Sequence, residues 1–183
     1  MRVFIAIEFS EEIKEYMYLV QQELKSSIEK GNFSNVDNFH LTLRYIGELS
    51  QDKILLLKQA LEKTASGGVS FKLETDTIGF FSKGTKKVLW MGVTKEKKSL
   101  EKLYLTLEDE LEQIGIKKEE KSFSPHITLV REAILIGSFE MLRQNTQLEN
   151  KEICVENISL MESTRIQGKL TYIPIYVCKI GKE

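Results

Sequence analysis

The pentapeptide "FHLTL" at 39–43 returns as "PHITL" at 125–129, and each copy closes the same run of elements. That duplicated order constrains the fold more than any other feature. In the first pass "VFIAIEF" (3–9) reads as a strand and Ser10 as an N-cap, with Glu11 and Glu12 placed favourably in the first turn. Ile13, Met17, Val20, Leu24 and Ile28 then recur at helical spacing until Gly31, which predicts a helix over 11–29. "FHLTLRYIG" follows as a strand closed by Gly47. In the second pass "VLWMGVT" (88–94) is the strand, Leu100, Leu103, Leu107, Leu111 and Ile114 mark the helix, and "FSPHITLV" is the histidine strand. Val3 stands as far before His40 as Val88 does before His126, to within one residue.

The parallel continues downstream. Ser50 opens a helix through Ile54, Leu57 and Leu61, followed by the strand "VSFKLETDTIGFF" (69–81). Ser138 opens a shorter helix with Phe139, Leu142 and Leu148, followed by "EICVENISLME" (152–162) as one strand. The last strand, "LTYIPIYVCKI" (170–180), contains Pro174, which predicts an edge position or a bulge. No Pro/Gly-rich linker divides the halves, so 1–183 is expected to form a single domain of two lobes.

On a strand, side chains at i and i+2 share a face. His40 therefore projects with Thr42 and His126 with Thr128, while Leu41, Leu43, Ile127 and Leu129 turn into the apolar layer. Either tetrapeptide alone is an ordinary half-buried strand. The pair uses both histidines of the chain, at matched places in a repeat, and that pairing is the functional signal. Halves related by an approximate two-fold would bring both displays to one cleft. Two imidazoles across a substrate supply an acid and a base near neutral pH, and threonine hydroxyls donate to phosphoryl oxygens.

Other chemistries lack their residues. Two histidines with no acid cluster beside them make a poor metal site, so neither a metal nor a cofactor is expected. No serine sits in a nucleophile elbow. Cys154 and Cys178 lie in apolar alternating stretches and read as buried free thiols. With a net charge of −1 the chain carries no global basic field, so contact with a polyanion needs a local patch. The basic turn "KGTKK" (83–87) is a candidate for such contacts. The first apolar run is too short for a secretory signal and no stretch approaches a membrane span, which predicts a soluble, cytoplasmic protein with no membrane partner.

Together "RVFIAIEF", "HLTLRYIGE", "FSPHITLVR" and the late "MESTRIQGKLTY" resemble the two-histidine (2H) phosphoesterase superfamily, and within it the RNA 2′,3′-cyclic phosphodiesterases, also called 2′-5′ RNA ligases. The resemblance implies an α+β fold of two pseudo-symmetric lobes around a central cleft. Each lobe would be a mainly antiparallel sheet with helices on its outer face. It implies a monomer that hydrolyses the 2′,3′-cyclic phosphate of an RNA end, tRNA fragments among them, to a 2′-phosphate without metal, and a reversible 2′-5′ ligation in some members. His40 takes the position of the proton donor and His126 that of the proton acceptor. Thr42, Thr128 and Arg131 take the phosphate-binding positions.

On simple alternation Arg131 faces away from His126, and it reaches the cleft only if the strand ends or bulges near Val130. Arg44 shares the face of His40 on the same alternation, and is either a cleft residue or a solvent-facing arginine. Phe39 and Trp90 are each either base-stacking or core. The alternative to the enzyme is a nucleotide- or RNA-end-binding module that keeps the cleft without turnover; two intact motifs favour the enzyme.

Overall fold

Ser10, Ser50 and Ser138 stand at three helix starts; the Ser10 and Ser138 hydroxyls accept from Ile13 N at 3.4 Å and Met141 N at 3.2 Å. The computed structural model describes residues 1–181. In chain order the elements are β1 (Arg2–Glu8), α1 (Glu11–Leu24), β2 (Ile28–Phe33), β3 (His40–Glu48), α2 (Gln51–Ser66), β4 (Phe71–Lys83) and β5 (Lys86–Lys95). There follow α3 (Lys97–Gln113), β6 (Ile127–Leu135), α4 (Phe139–Asn145), β7 (Glu152–Val155), β8 (Asn157–Ile166) and β9 (Lys169–Lys179). Among the described residues no helix is long and apolar enough to cross a membrane.

The strands form two antiparallel sheets, in the orders β3-β1-β8-β9 and β2-β6-β5-β4-β7. Each histidine strand lies beside the strand that opens its own half, β3 on β1 and β6 on β5. On the other side of each opening strand lies a strand from the opposite half: β8 on β1, and β4 on β5. The repeat is therefore real, but the halves exchange strands. Leu41, Leu43, Ile127 and Leu129 are buried as alternation requires, while His40, Thr42, His126 and Thr128 are half-buried.

Several expectations are corrected. The helix expected over 11–29 ends at Leu24, and after a 3₁₀ turn (Lys25–Ser27) the chain enters β2, which pairs with β6. Gly31 is part of that strand rather than a stop: a Cβ there would come within 2.8 Å of the Val130 side chain, so glycine permits the close approach of β2 to β6. The stretch 152–162 is two strands. Glu156 breaks it and sends β7 to the edge beside β4 and β8 to the other sheet beside β1. Leu148 lies beyond α4, and Cys154 is exposed where Cys178 is buried. Pro174 satisfies both of its alternatives, since β9 is an edge strand with a register shift opposite Leu160 and Met161.

Candidate active site

Both imidazoles are held in the same way. His40 Nδ1 donates to the Asn38 carbonyl at 2.7 Å, and His126 Nδ1 donates to the Ser124 carbonyl at 2.7 Å. A carbonyl only accepts, so Nδ1 carries the hydrogen and Nε2 is the nitrogen left for proton transfer. His40 Nε2 lies 2.9 Å from Thr42 Oγ1, the i+2 neighbour on the same strand face. Aromatic rings wall both histidines. Phe4 and Tyr172 stand 4.9 and 5.1 Å from the His40 ring, and Phe81 and Trp90 stand 4.9 and 6.2 Å from the His126 ring.

Those walls bury both rings in part, and the electrostatics follow. Burial is the largest cause that pushes the His40 pKa down to about 4; the Asn38 carbonyl opposes it, while the charges of Arg131 and His126 add to it. His126 is lowered too, first by burial and then by Arg131, against the pull of the Ser124 carbonyl. The protein's own groups thus favour two neutral imidazoles. A phosphate anion between them would oppose both the burial and the arginine.

A cavity of about 330 Å³ gathers His40, Thr128 and Arg131 with Asn38, Lys169 and Tyr172. Arg131 arrives there because β6 bulges. Trp90 pairs with Thr128 but Leu89 with Val130, so Leu129 and Val130 are buried one after the other and the faces exchange before Arg131. A second shift follows, where Lys87 pairs with Ala133 and Glu132 adopts φ 51°. The condition set by alternation is met at Leu129 and Val130. Thr42 joins the site through His40. His126 lies outside the lining of this cavity, on the side of Phe81 and Trp90.

Arg44 does not reach the cleft. The register shift between Ile5 and Ala6 breaks the alternation after Thr42, and Arg44 is drawn to Glu108 on α3 at 3.1 Å and to Glu119 at 2.7 Å. It is neither a residue of the His40 cavity nor a solvent-facing side chain, but a strut between β3 and α3. Phe39 is core. The 83–87 turn is the tip of the β4–β5 hairpin, where Lys86 meets Glu132 at 3.0 Å.

Three residues that pattern reading missed organise the site. The buried Asn38 amide donates to Leu170 O at 2.8 Å and accepts from Tyr172 N at 3.0 Å, which fixes the carbonyl that holds His40. Gln21, buried on α1, donates to Ser34 O at 2.9 Å and Leu129 O at 2.8 Å, and Ser34 Oγ donates to Thr128 O at 3.0 Å. The segment that anchors the first histidine is therefore tied to the strand of the second motif. The one sequence signal was the polar residue two places before each histidine. Among the described residues no group of three or more His, Cys, Asp or Glu is placed to hold a metal.

Known proteins resemble this chain in sequence and in fold. The family model of the 2′-5′ RNA ligase superfamily matches residues 11–166. The RNA 2′,3′-cyclic phosphodiesterase of Thermotoga maritima is 31% identical, over 98% of this chain and 95% of its own. That of Escherichia coli is 28% identical, over 95% and 93%. The crystal structure of E. coli LigT complexed with 3′-AMP superposes with a TM-score of 0.82 at 25% identity, covering 99% of this chain and 98% of that one.

Proposed function

The chain belongs to the 2′-5′ RNA ligase superfamily, and on that premise we propose that it is an RNA 2′,3′-cyclic phosphodiesterase working by two-histidine acid–base catalysis. The observation that carries the reading is the matched tethering of His40 and His126, each with Nδ1 on a carbonyl two residues upstream. A binding module needs neither imidazole held in a fixed tautomer; an acid–base pair needs both.

In this mechanism the terminal cyclic phosphate sits against Thr42, Thr128 and Arg131, which neutralise charge on the non-bridging oxygens. His126 Nε2 takes a proton from water as the water oxygen bonds to phosphorus. The bond from phosphorus to the 3′ oxygen breaks, and His40 Nε2–H protonates that oxygen. A 2′-phosphate and a 3′-hydroxyl result. Run forwards with a 5′-hydroxyl in place of the water, the same steps make a 2′-5′ linkage, and ends such as those of tRNA fragments have the required chemistry. Because each sheet takes strands from both halves, residues 1–183 act as one catalytic domain.

The test is product analysis after incubation with a short RNA ending in a 2′,3′-cyclic phosphate. Accumulation of the 2′-phosphate is expected. Saturable binding with an intact cyclic end would favour the binding module instead, and a dominant 3′-phosphate would exchange the histidine roles.

A further inference from the structure

We propose that the groove beside His126 is a second nucleoside subsite, floored by Trp90, for the RNA end whose 5′-hydroxyl replaces water as the attacking group. The proposal rests on the two-histidine phosphodiesterase reading above. The groove, about 850 Å³, starts at Ser124 and Pro125, next to His126, and runs on to α3. Its size lies within the roughly 300–1,000 Å³ of small-molecule sites.

The floor is built for a flat ligand. Trp90 pairs across β5–β6 with Thr128, and its indole lies over the neighbouring strand at Gly79. A methyl group at Gly79 would collide with three atoms of the six-membered ring, and one at Gly92 would stand 3.5 Å from the same ring. Glycine at position 79 lets the indole lie along the sheet instead of standing away from it. Phe81 braces it at 5.2 Å, and Tyr104 stacked on Phe123 at 4.1 Å belongs to the same groove. A half-buried indole held flat is a stacking surface for a base.

Charge separates the two sides of the catalytic pair. The cavity at His40 holds Arg131 and Lys169. The groove at His126 holds Asp76, Glu101, Glu119 and Glu120 against Lys97 and Lys121. Without a cationic surplus it is poorly suited to grip a phosphate, and its ligand is held by stacking. In-line displacement brings the attacking oxygen in opposite the departing one. With His40 at the departing 3′ oxygen, the attacker comes from the His126 side, where the groove lies. The 5′ oxygen bonds to phosphorus as its proton passes to His126; the P–O3′ bond breaks and the 3′ oxygen takes the proton of His40. A 2′-5′ phosphodiester forms with no cofactor or net redox change.

Trp90 is the single tryptophan of the chain, so its fluorescence reads the subsite directly. Adenosine, which carries a 5′-hydroxyl and no phosphate, is expected to quench it saturably. The quench should persist with 2′-AMP saturating the histidine side, and should be insensitive to salt where 2′-AMP binding weakens. No saturable quench, or adenosine displaced by 2′-AMP, overturns the subsite. In a second experiment adenosine 2′,3′-cyclic phosphate is offered with adenosine as acceptor. Trp90→Leu should lower the ratio of 2′-5′ dinucleotide to 2′-AMP by about tenfold, the scale of one lost base–aromatic stack. Both products use His126, so damage to that residue cancels in the ratio. A ratio unchanged within about twofold overturns the proposal. Adenosine binding as described, with the cyclic phosphate left intact, would overturn the phosphodiesterase reading alone.

Discussion

Glu132 takes a left-handed backbone conformation (φ 51°) directly after Arg131, the residue whose charge reaches both histidines. Few non-glycine residues adopt that conformation, and β-branched ones do so worst. Glu132→Gly should therefore keep both stability and turnover close to wild type, apart from the loss of the exposed Lys86 and Asn32 contacts. Glu132→Val should destabilise the bulge and lower turnover toward the level of Arg131→Ala. Thermal melts and initial rates on the three variants check this; a Glu132→Val protein as active as wild type would separate the bulge from the placement of Arg131.

Replacing His40 or His126 with Ala is expected to cut turnover by about a hundredfold or more while the protein stays folded, because neither ring belongs to the hydrophobic core. The double variant should fall far short of the product of the two losses, since both groups act in one step. A substrate with a better 3′ leaving group should partly rescue His40→Ala and leave His126→Ala inactive. Rescue of the His126 variant instead would exchange donor and acceptor.

The depressed pKa of His40 links to stability with a definite sign. Folded, the ring titrates at about 4; unfolded, near 6.5. Between those values the unfolded chain binds more protons, so stability rises with pH through the window and is lost as pH falls from 6.5 to 4. His40→Gln should flatten this part of the stability profile, measured by urea unfolding across that range. An unchanged slope would place the titration elsewhere. Binding of 2′-AMP should raise the NMR titration midpoint of His40, since the donor role needs its proton.

Arg44 joins β3 to α3 through a pair whose side chains are 10% and 5% exposed. Arg44→Met leaves Glu108 buried without its cation and should cost about 3 kcal/mol of unfolding free energy. The loss should appear in denaturant midpoints. With substrate saturating, turnover should change less than in any histidine variant. A turnover loss as deep as that of His40→Ala would return Arg44 to the chemistry.

In the proposed mechanism charge on the phosphate is met by hydroxyls, imidazole and Arg131. Activity should accordingly survive exhaustive chelation, assayed with and without added divalent metal. A strict, reversible metal requirement would mean the site is misread.

Local sequence determined a good deal. Period-two alternation put His40 with Thr42 and His126 with Thr128 and sent the intervening residues into the core, because a strand can display only two faces. Helical spacing and serine caps located the helices, and Pro174 marked an edge, because each depends on bonds a few residues away. The recurrence of the whole order showed the duplication. Tertiary structure decided what depends on partners distant in sequence. Whether Ile28–Phe33 continues a helix or pairs with β6, and whether 152–162 is one strand or two, is settled by which sheet edge is available. The places of Arg131 and Arg44 are decided for the same reason. Alternation is a rule for an unbroken strand, and the bulges that overturn it arise where two strands of unequal path must keep their hydrogen bonds paired. The anchoring of His40 through Asn38 to β9 spans more than a hundred residues and leaves no period behind. Only the folded chain brings those groups into reach.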